Sequence, residues 1–115
     1  MIEIRGYVDR DGRQPYAHWF MELDIHAAAR VTTALTRNEL GNFASVKGVG
    51  AGVFEYKLDS EPGYRIYFGK DGDRLVILVG GGTKKRQPKD IEVARERWAD
   101  YKKRKKEERD DAVES

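Results

Sequence analysis

An α+β fold is predicted for this chain: apolar residues recur at helical spacing in the first half and again near the end, whereas three segments in the second half read as strands, and turn formers separate these segments. The expected order is an N-terminal strand, a helical hairpin, a three-stranded antiparallel meander and a C-terminal helix. Ile2 and Ile4, with Tyr7 and Val8 beyond them, mark the first strand, and Asp9-Arg10-Asp11-Gly12 closes it. Pro15 suits a first helical position, Trp19, Phe20 and Leu23 follow at helical spacing, and Asp24 can cap a second helix containing Ala27-Ala28-Ala29, Val31 and Leu35. Gly41 ends the hairpin. Residues 41–52 hold four glycines and few large apolar side chains, so they read as a connecting loop.

In the meander, Phe54, Tyr56 and Leu58 alternate with Glu55, Lys57 and Asp59, the pattern of a half-exposed strand. Pro62-Gly63 forms the turn, after which Tyr64, Ile66 and Phe68 alternate with Arg65 and Tyr67. Gly69-Lys70-Asp71-Gly72-Asp73 turns again. Leu75-Val76-Ile77-Leu78-Val79 is apolar throughout, as a central strand covered on both sides requires. It stops at Gly80-Gly81-Gly82. Beyond Pro88, Ile91, Ala94, Trp98 and Tyr101 share one helical face. Helices are expected to cover the face bearing Phe54, Tyr56, Tyr64 and Ile66, leaving Glu55, Lys57, Arg65 and Tyr67 together on a partly open opposite face.

The 115 residues suit one domain, since two cores at this length would each bury too little apolar surface. We place that domain at residues 1–101 and a charged tail, as helix extension or disordered chain, at 102–115. An apolar fraction of 39% supports a small core, while 37% charged residues demand a solvated surface. The chain has no cysteine, which excludes disulfides and thiolate zinc sites, and two separated histidines make a poor metal site. No metal or other cofactor is expected. The N-terminus lacks a signal-peptide pattern and no apolar run is long enough for a membrane span, so a cytoplasmic location without membrane partners is expected.

The net charge of +2 hides a segregated distribution. Residues 102–106 are all Lys or Arg, and one Arg against five acids follows in 107–115, so the body is close to neutral. Nucleic-acid affinity then requires a local patch, and Lys84-Lys85-Arg86 with Lys89 is the clearest within the body. The tail, whose apolar residues are only Ala112 and Val113, is expected to contribute little to folding.

RNA can be cut without a metal when its own 2′-hydroxyl attacks the adjacent phosphate, provided side chains move protons and stabilise the added charge. Lys57 and Arg65 on one sheet face, with Glu55 and Tyr67 beside them and Lys84, Lys85 and Arg86 in the following loop, could supply such groups. Arg offers a bidentate phosphate fork and Lys a point charge or a base. Cross-strand ion pairing on a solvated face is the plainer reading of the same pattern. His18 and His26 lack a neighbouring nucleophile or paired carboxylate and are read as surface residues, and Trp19 and Trp98 as core. Gly80-Gly81-Gly82-Thr83-Lys84-Lys85 lacks the Walker spacing, so nucleotide-triphosphate binding is not expected.

Leu40-Gly41-Asn42-Phe43, the stretch Gly52 to Leu58, the stretch Pro62 to Phe68, and Gly81 to Gln87 followed by Asp90-Ile91 together resemble the RelE/HigB superfamily, in particular its phage-derived HigB-like addiction-module killer branch. The resemblance spans roughly residues 1–101. It implies a type II toxin that enters the ribosome and cleaves translated mRNA, silenced by a cognate antitoxin, a helix-turn-helix DNA-binding protein. By position it implies Lys57, Arg65 and Lys84 as catalytic; Glu55 and Tyr67 beside them on the face, and Lys85, Arg86, Gln87 and Lys89 in and after the basic loop, are expected to bind substrate. Glu55 stands where the best-known RelE members are basic, and no aromatic acid–base group stands near Gln87. A ParE-like gyrase inhibitor, which shares the fold, and a noncatalytic module binding RNA or a partner are the competing readings.

Overall fold

The computed structural model describes residues 2–37, 39–41, 45–58 and 63–114. Its elements are β1 (Glu3–Gly6), α1 (Pro15–Met21), α2 (Ile25–Thr36), β2 (Val46–Gly48), β3 (Val53–Lys57), β4 (Arg65–Asp71), β5 (Leu75–Gly82) and α3 (Gln87–Glu114). The strands form one five-stranded mixed sheet in the order β1-β5-β4-β3-β2. From β2 to β5 each neighbouring pair is antiparallel, and β1 lies parallel to β5 with Ile4 opposite Val76. The expected α+β order is present, with one strand more than expected. β2 falls inside the segment read as a loop. Three residues are too short for an alternation signal, and the glycines that follow belong to its turn into β3, where Gly50, Ala51 and Gly52 all adopt positive φ. Pro62, expected to form a turn with Gly63, lies outside the described residues, as do Asn42, Phe43 and Asp59.

One face of the sheet packs on the hairpin. Asp24 caps α2 by accepting the Ala27 amide hydrogen at 2.9 Å, and Pro15 opens α1, as the sequence indicated. Val31 and Ala34 of α2 then meet Tyr56, Leu58, Ile66, Phe68, Val76 and Leu78, with Trp19 and Phe20 of α1 packed alongside. The other face carries a second core, in which Val53, Tyr67, Ile77 and Val79 bury against Ala94 and Trp98 of α3. Trp98 lies flat on Gly69, where any side chain would collide with the indole, and stacks on Tyr101 at 5.1 Å. β5 is apolar throughout because both cores use it. The expectation of a partly open second face is therefore corrected: α3 lies across it, and Glu55, Arg65 and Tyr67 are buried.

No helix of the described residues is long and apolar enough to cross a membrane. α3 runs on through the charged segment, and its 28 residues span about 42 Å at ~1.5 Å per residue, which accounts for a longest molecular dimension of 50 Å. Just beyond Tyr101 it still touches the body. The Arg104 guanidinium lies over the Tyr7 ring at 5.4 Å and donates to the Val8 carbonyl, and Lys105 pairs with Asp71.

These contacts revise the expectation of an indifferent tail. Truncation after Tyr101 should cost about 1–2 kcal/mol, because a cation–π contact and a charged hydrogen bond are lost together. Truncation after Lys106 should stay within about 0.5 kcal/mol of the full chain. Urea unfolding of both proteins decides it, and equal midpoints would show that Arg104 and Lys105 contribute nothing.

Candidate active site

Strand register gathers the candidate residues. One row across the second face reads Lys47, Glu55, Tyr67, Gly80, and the next row toward the sheet end reads Lys57, Arg65, Gly82. Residues two apart share a face, so both rows look the same way. Lys84 joins the second row through the β5 end, since Gly63 stands between the Arg65 guanidinium and the Lys84 β-carbon, with an added Cβ 3.3 Å and 3.4 Å from them. Lys57, Arg65 and Lys84 are thus brought to one end of the sheet. Lys57 and Lys84 are exposed, and Lys85, Arg86 and Lys89 lie exposed on the 3-10 turn and first turn of α3 that follow.

Beneath these cations sits an ionic hub. Glu55 is only 2% exposed, its carboxylate 3.5 Å from Arg65 Nε and 3.7 Å from Lys47 Nζ, and it accepts a 2.8 Å hydrogen bond from Gln87 Nε2. Arg65, 5% exposed, also donates to the Gly63 carbonyl at 2.7 Å. Of the residues expected to meet substrate, Glu55 and Tyr67 are buried beneath the start of α3, and Gln87, its first residue, is half-buried and bonded to Glu55. Lys47 was missed by sequence reading, having been assigned to a loop.

The alternation Gly80, Gly82 explains a second missed residue. Asp90, in the first turn of α3, sets its carboxylate directly over Gly82, and Arg97 stands over Gly80 while donating to the Val79 carbonyl at 2.8 Å. From the other face Trp19 fills the space over Gly81. Gly82 pairs with Arg65, so Asp90 adjoins the cationic row. Its Oδ2 is buried and has no hydrogen-bond partner among the described residues. Burial pushes the Asp90 carboxyl above the ordinary aspartate range, although Arg86 and Arg97 pull it back. Burial likewise raises the Tyr67 phenol, and the nearby Glu55 charge raises it further, without completing a hydrogen bond of normal geometry. Three glycines ending a strand just before a helix with an acid in its first turn are the signal that could have found Asp90.

His18 is exposed beside Glu22, as expected of a surface residue. Among the described residues no three acidic or histidine side chains are grouped so as to hold a metal.

No family model matches the chain. An uncharacterized protein of Haemophilus influenzae (strain ATCC 51907 / DSM 11121 / KW20 / Rd) is 38% identical over 78 residues, which make up 67% of this chain and 79% of that protein.

Two consequences are measurable. Arg65→Ala leaves the Glu55 carboxylate buried with its closest cation gone, and should destabilise by roughly 3 kcal/mol. Lys57→Ala, at an exposed position, should stay within about 0.5 kcal/mol. The difference follows from the covering of the face that alternation left partly open, and chemical denaturation that finds the two variants equally stable would show the buried pair to be idle. For Asp90 the linkage sign is opposite to that of a paired carboxylate. Its raised folded pKa means that the unfolded chain ionises first, so stability falls as pH rises through the ordinary aspartate range and on to the folded pKa. Asp90→Asn should match wild type in acid and exceed it at neutral pH, and a pH-independent difference in unfolding midpoint would exclude this.

Proposed function

The chain belongs to the same family as that Haemophilus influenzae protein, and we propose that it is a RelE/HigB-type toxin of a type II toxin–antitoxin pair, a metal-independent, ribosome-dependent mRNA endoribonuclease that inhibits translation. The observation that carries this reading is the convergence of Lys57, Arg65 and Lys84 at one sheet end, with a carboxylate oxygen, Asp90 Oδ2, buried without a hydrogen-bond partner over Gly82 of the same row. The α+β element order read from hydrophobic periodicity, which agrees with the fold of the family the sequence resembles, supports it as well.

In the proposed reaction the O2′–P bond forms and the P–O5′ bond breaks. Asp90, whose raised pKa suits proton transfer nearer neutrality than an ordinary aspartate, accepts the 2′-hydroxyl proton. Arg65 and Lys84 stabilise charge developing on the phosphate oxygens, and Lys57 donates a proton to the departing 5′-oxygen. The products are a 2′,3′-cyclic phosphate and a free 5′-hydroxyl. Glu55 holds Arg65 in place and Gln87 holds Glu55, so both act as positioning residues. A cytoplasmic antitoxin of the helix-turn-helix class silences the enzyme by covering the cationic end or displacing an element beside it.

Purified chain added to translating ribosomes should cut the message, read by primer extension, with cyclic-phosphate ends and unchanged activity in chelator once ribosome integrity is controlled. Lys57→Ala and Asp90→Asn should each lower the rate by ~100-fold or more while remaining folded. Expression alone should arrest growth, and the neighbouring reading frame should restore it. Full activity of both variants would remove the mechanism, and intact message with inhibited gyrase supercoiling would assign the chain to the ParE-like class instead.

A further inference from the structure

β1 closes the sheet at one end, and no strand among the described residues pairs with its outer edge. The Glu3 amide donates to the Arg74 carbonyl at 2.6 Å and the Tyr7 amide to the Leu78 carbonyl at 2.9 Å, so the odd-numbered residues of β1 turn their main-chain groups toward β5. By the alternation of a strand, Ile4 and Gly6 turn theirs outward, and neither amide makes a hydrogen bond among the described residues. The free edge stops at Val8, whose carbonyl accepts from Arg104. An exposed row of this kind is a template for pairing with another chain.

Side chains along this edge are sorted by face. Glu3 and Arg5 stand in register with Leu75 and Ile77 on the α3 face, where both are more than half exposed and pair with each other. Ile4, in register with Val76, is half-buried on the hairpin face, and Ile2 on the same face is 38% exposed. Consider two copies joined antiparallel about a two-fold axis through Ile4. Ile4 then stands opposite its own copy, Ile2 opposite Gly6, and Glu3 opposite Arg5 in both directions. The outward groups of Ile2, Ile4 and Gly6 all fall at bonded positions, which gives about six main-chain hydrogen bonds across the junction. Glu3 and Arg5 fall at the positions between, where facing side chains come closest. Moving the axis by one residue sets Glu3 against Glu3 or Arg5 against Arg5, so charge selects a single register. Gly6 leaves the approach open, since an added Cβ there would meet nothing within 4 Å.

We propose that the chain pairs with a second copy of itself through β1, in that register, joining two five-stranded sheets into one. A second copy is the occupant for which the charge match is built into the strand itself, as a two-fold interface requires. The junction covers Ile2 and Ile4 on one face and completes a four-membered row of alternating charge on the other. Because β1 is parallel to β5, antiparallel joining sends the two cationic ends in opposite directions, and both stay open. β1 has four residues, so the contact is small and the association concentration-dependent. None of this depends on the nuclease reading.

The test uses the full chain alone. Sedimentation equilibrium from about 1 µM to about 1 mM should move the mean mass from the 13.2 kDa of one chain toward twice that value, and the Ile4 and Gly6 amides should exchange with solvent more slowly as the dimer fills. Glu3→Arg or Arg5→Glu alone should weaken association by about tenfold or more, because like charges then face each other. The two changes together should restore it, since opposite charges again stand face to face. Both side chains are exposed, so the fold tolerates these variants. Gly6→Pro removes an outward donor where the ring has room, and should abolish association. A mass of 13.2 kDa at every concentration overturns the proposal. So does a dimer that Gly6→Pro leaves intact or that the double exchange fails to rescue, since either places the contact elsewhere. Protection of the Ile4 and Gly6 amides only in the presence of a co-expressed antitoxin gives the edge to a different protein, and likewise overturns it.

Discussion

The cationic end of the molecule depends on how closely two helices can approach the last residues of β5. Interiors pack at near-crystalline density, so a side chain added at Gly80, Gly81 or Gly82 would have to displace Arg97, Trp19 or Asp90 respectively. The absence of those side chains lets α1 and α3 close on opposite faces of the same three residues. α3 then begins low over the sheet, which puts Gln87 against Glu55 and Asp90 over Gly82, the register partner of Arg65. The placement of Asp90 and the ionic hub are two results of one close approach.

The cost of that arrangement is electrostatic. Glu55 and Arg65 give up most of their hydration, and their mutual attraction, with Gln87 and Lys47 completing the shell of the carboxylate, offsets it. Asp90 has no such compensation at Oδ2, and its carboxyl is pushed upward accordingly. Two carboxylates within one small region are thus held in different states of readiness. The paired one is fixed by its partners, and the other has one oxygen buried without a hydrogen bond.

Net charge says little about how such a protein would meet RNA. The body is near neutral, yet Lys57, Lys84, Lys85, Arg86 and Lys89 lie exposed around one end. A local patch of this kind suits a substrate delivered at a defined place more than one captured along a duplex. The charged part of α3 contributes at its start, where Arg104 and Lys105 reach back to Tyr7, Val8 and Asp71.

Hydrophobic periodicity, turn formers and caps are local, and they sufficed for the α+β class, the helical hairpin, the meander, the core placement of Trp19 and Trp98, and the double coverage of Leu75–Val79. Alternation also placed Glu55, Lys57, Arg65 and Tyr67 on one face, and the register agrees. It could not say that this face is covered, because period two distinguishes the two sides of a strand without telling what packs on either. A three-residue edge strand leaves no periodic trace, so Lys47 was lost with it. The signal for Asp90, three glycines ending a strand just before a helix with an acid in its first turn, depends on which helix lies over those glycines, and periodicity does not carry that. Only the tertiary structure decided that Glu55 and Arg65 are buried partners, that Lys84 closes the cationic row, and that Asp90 is unpartnered, because burial and pairing are set by which distant segments meet, and α3 meets the sheet only where glycines make room.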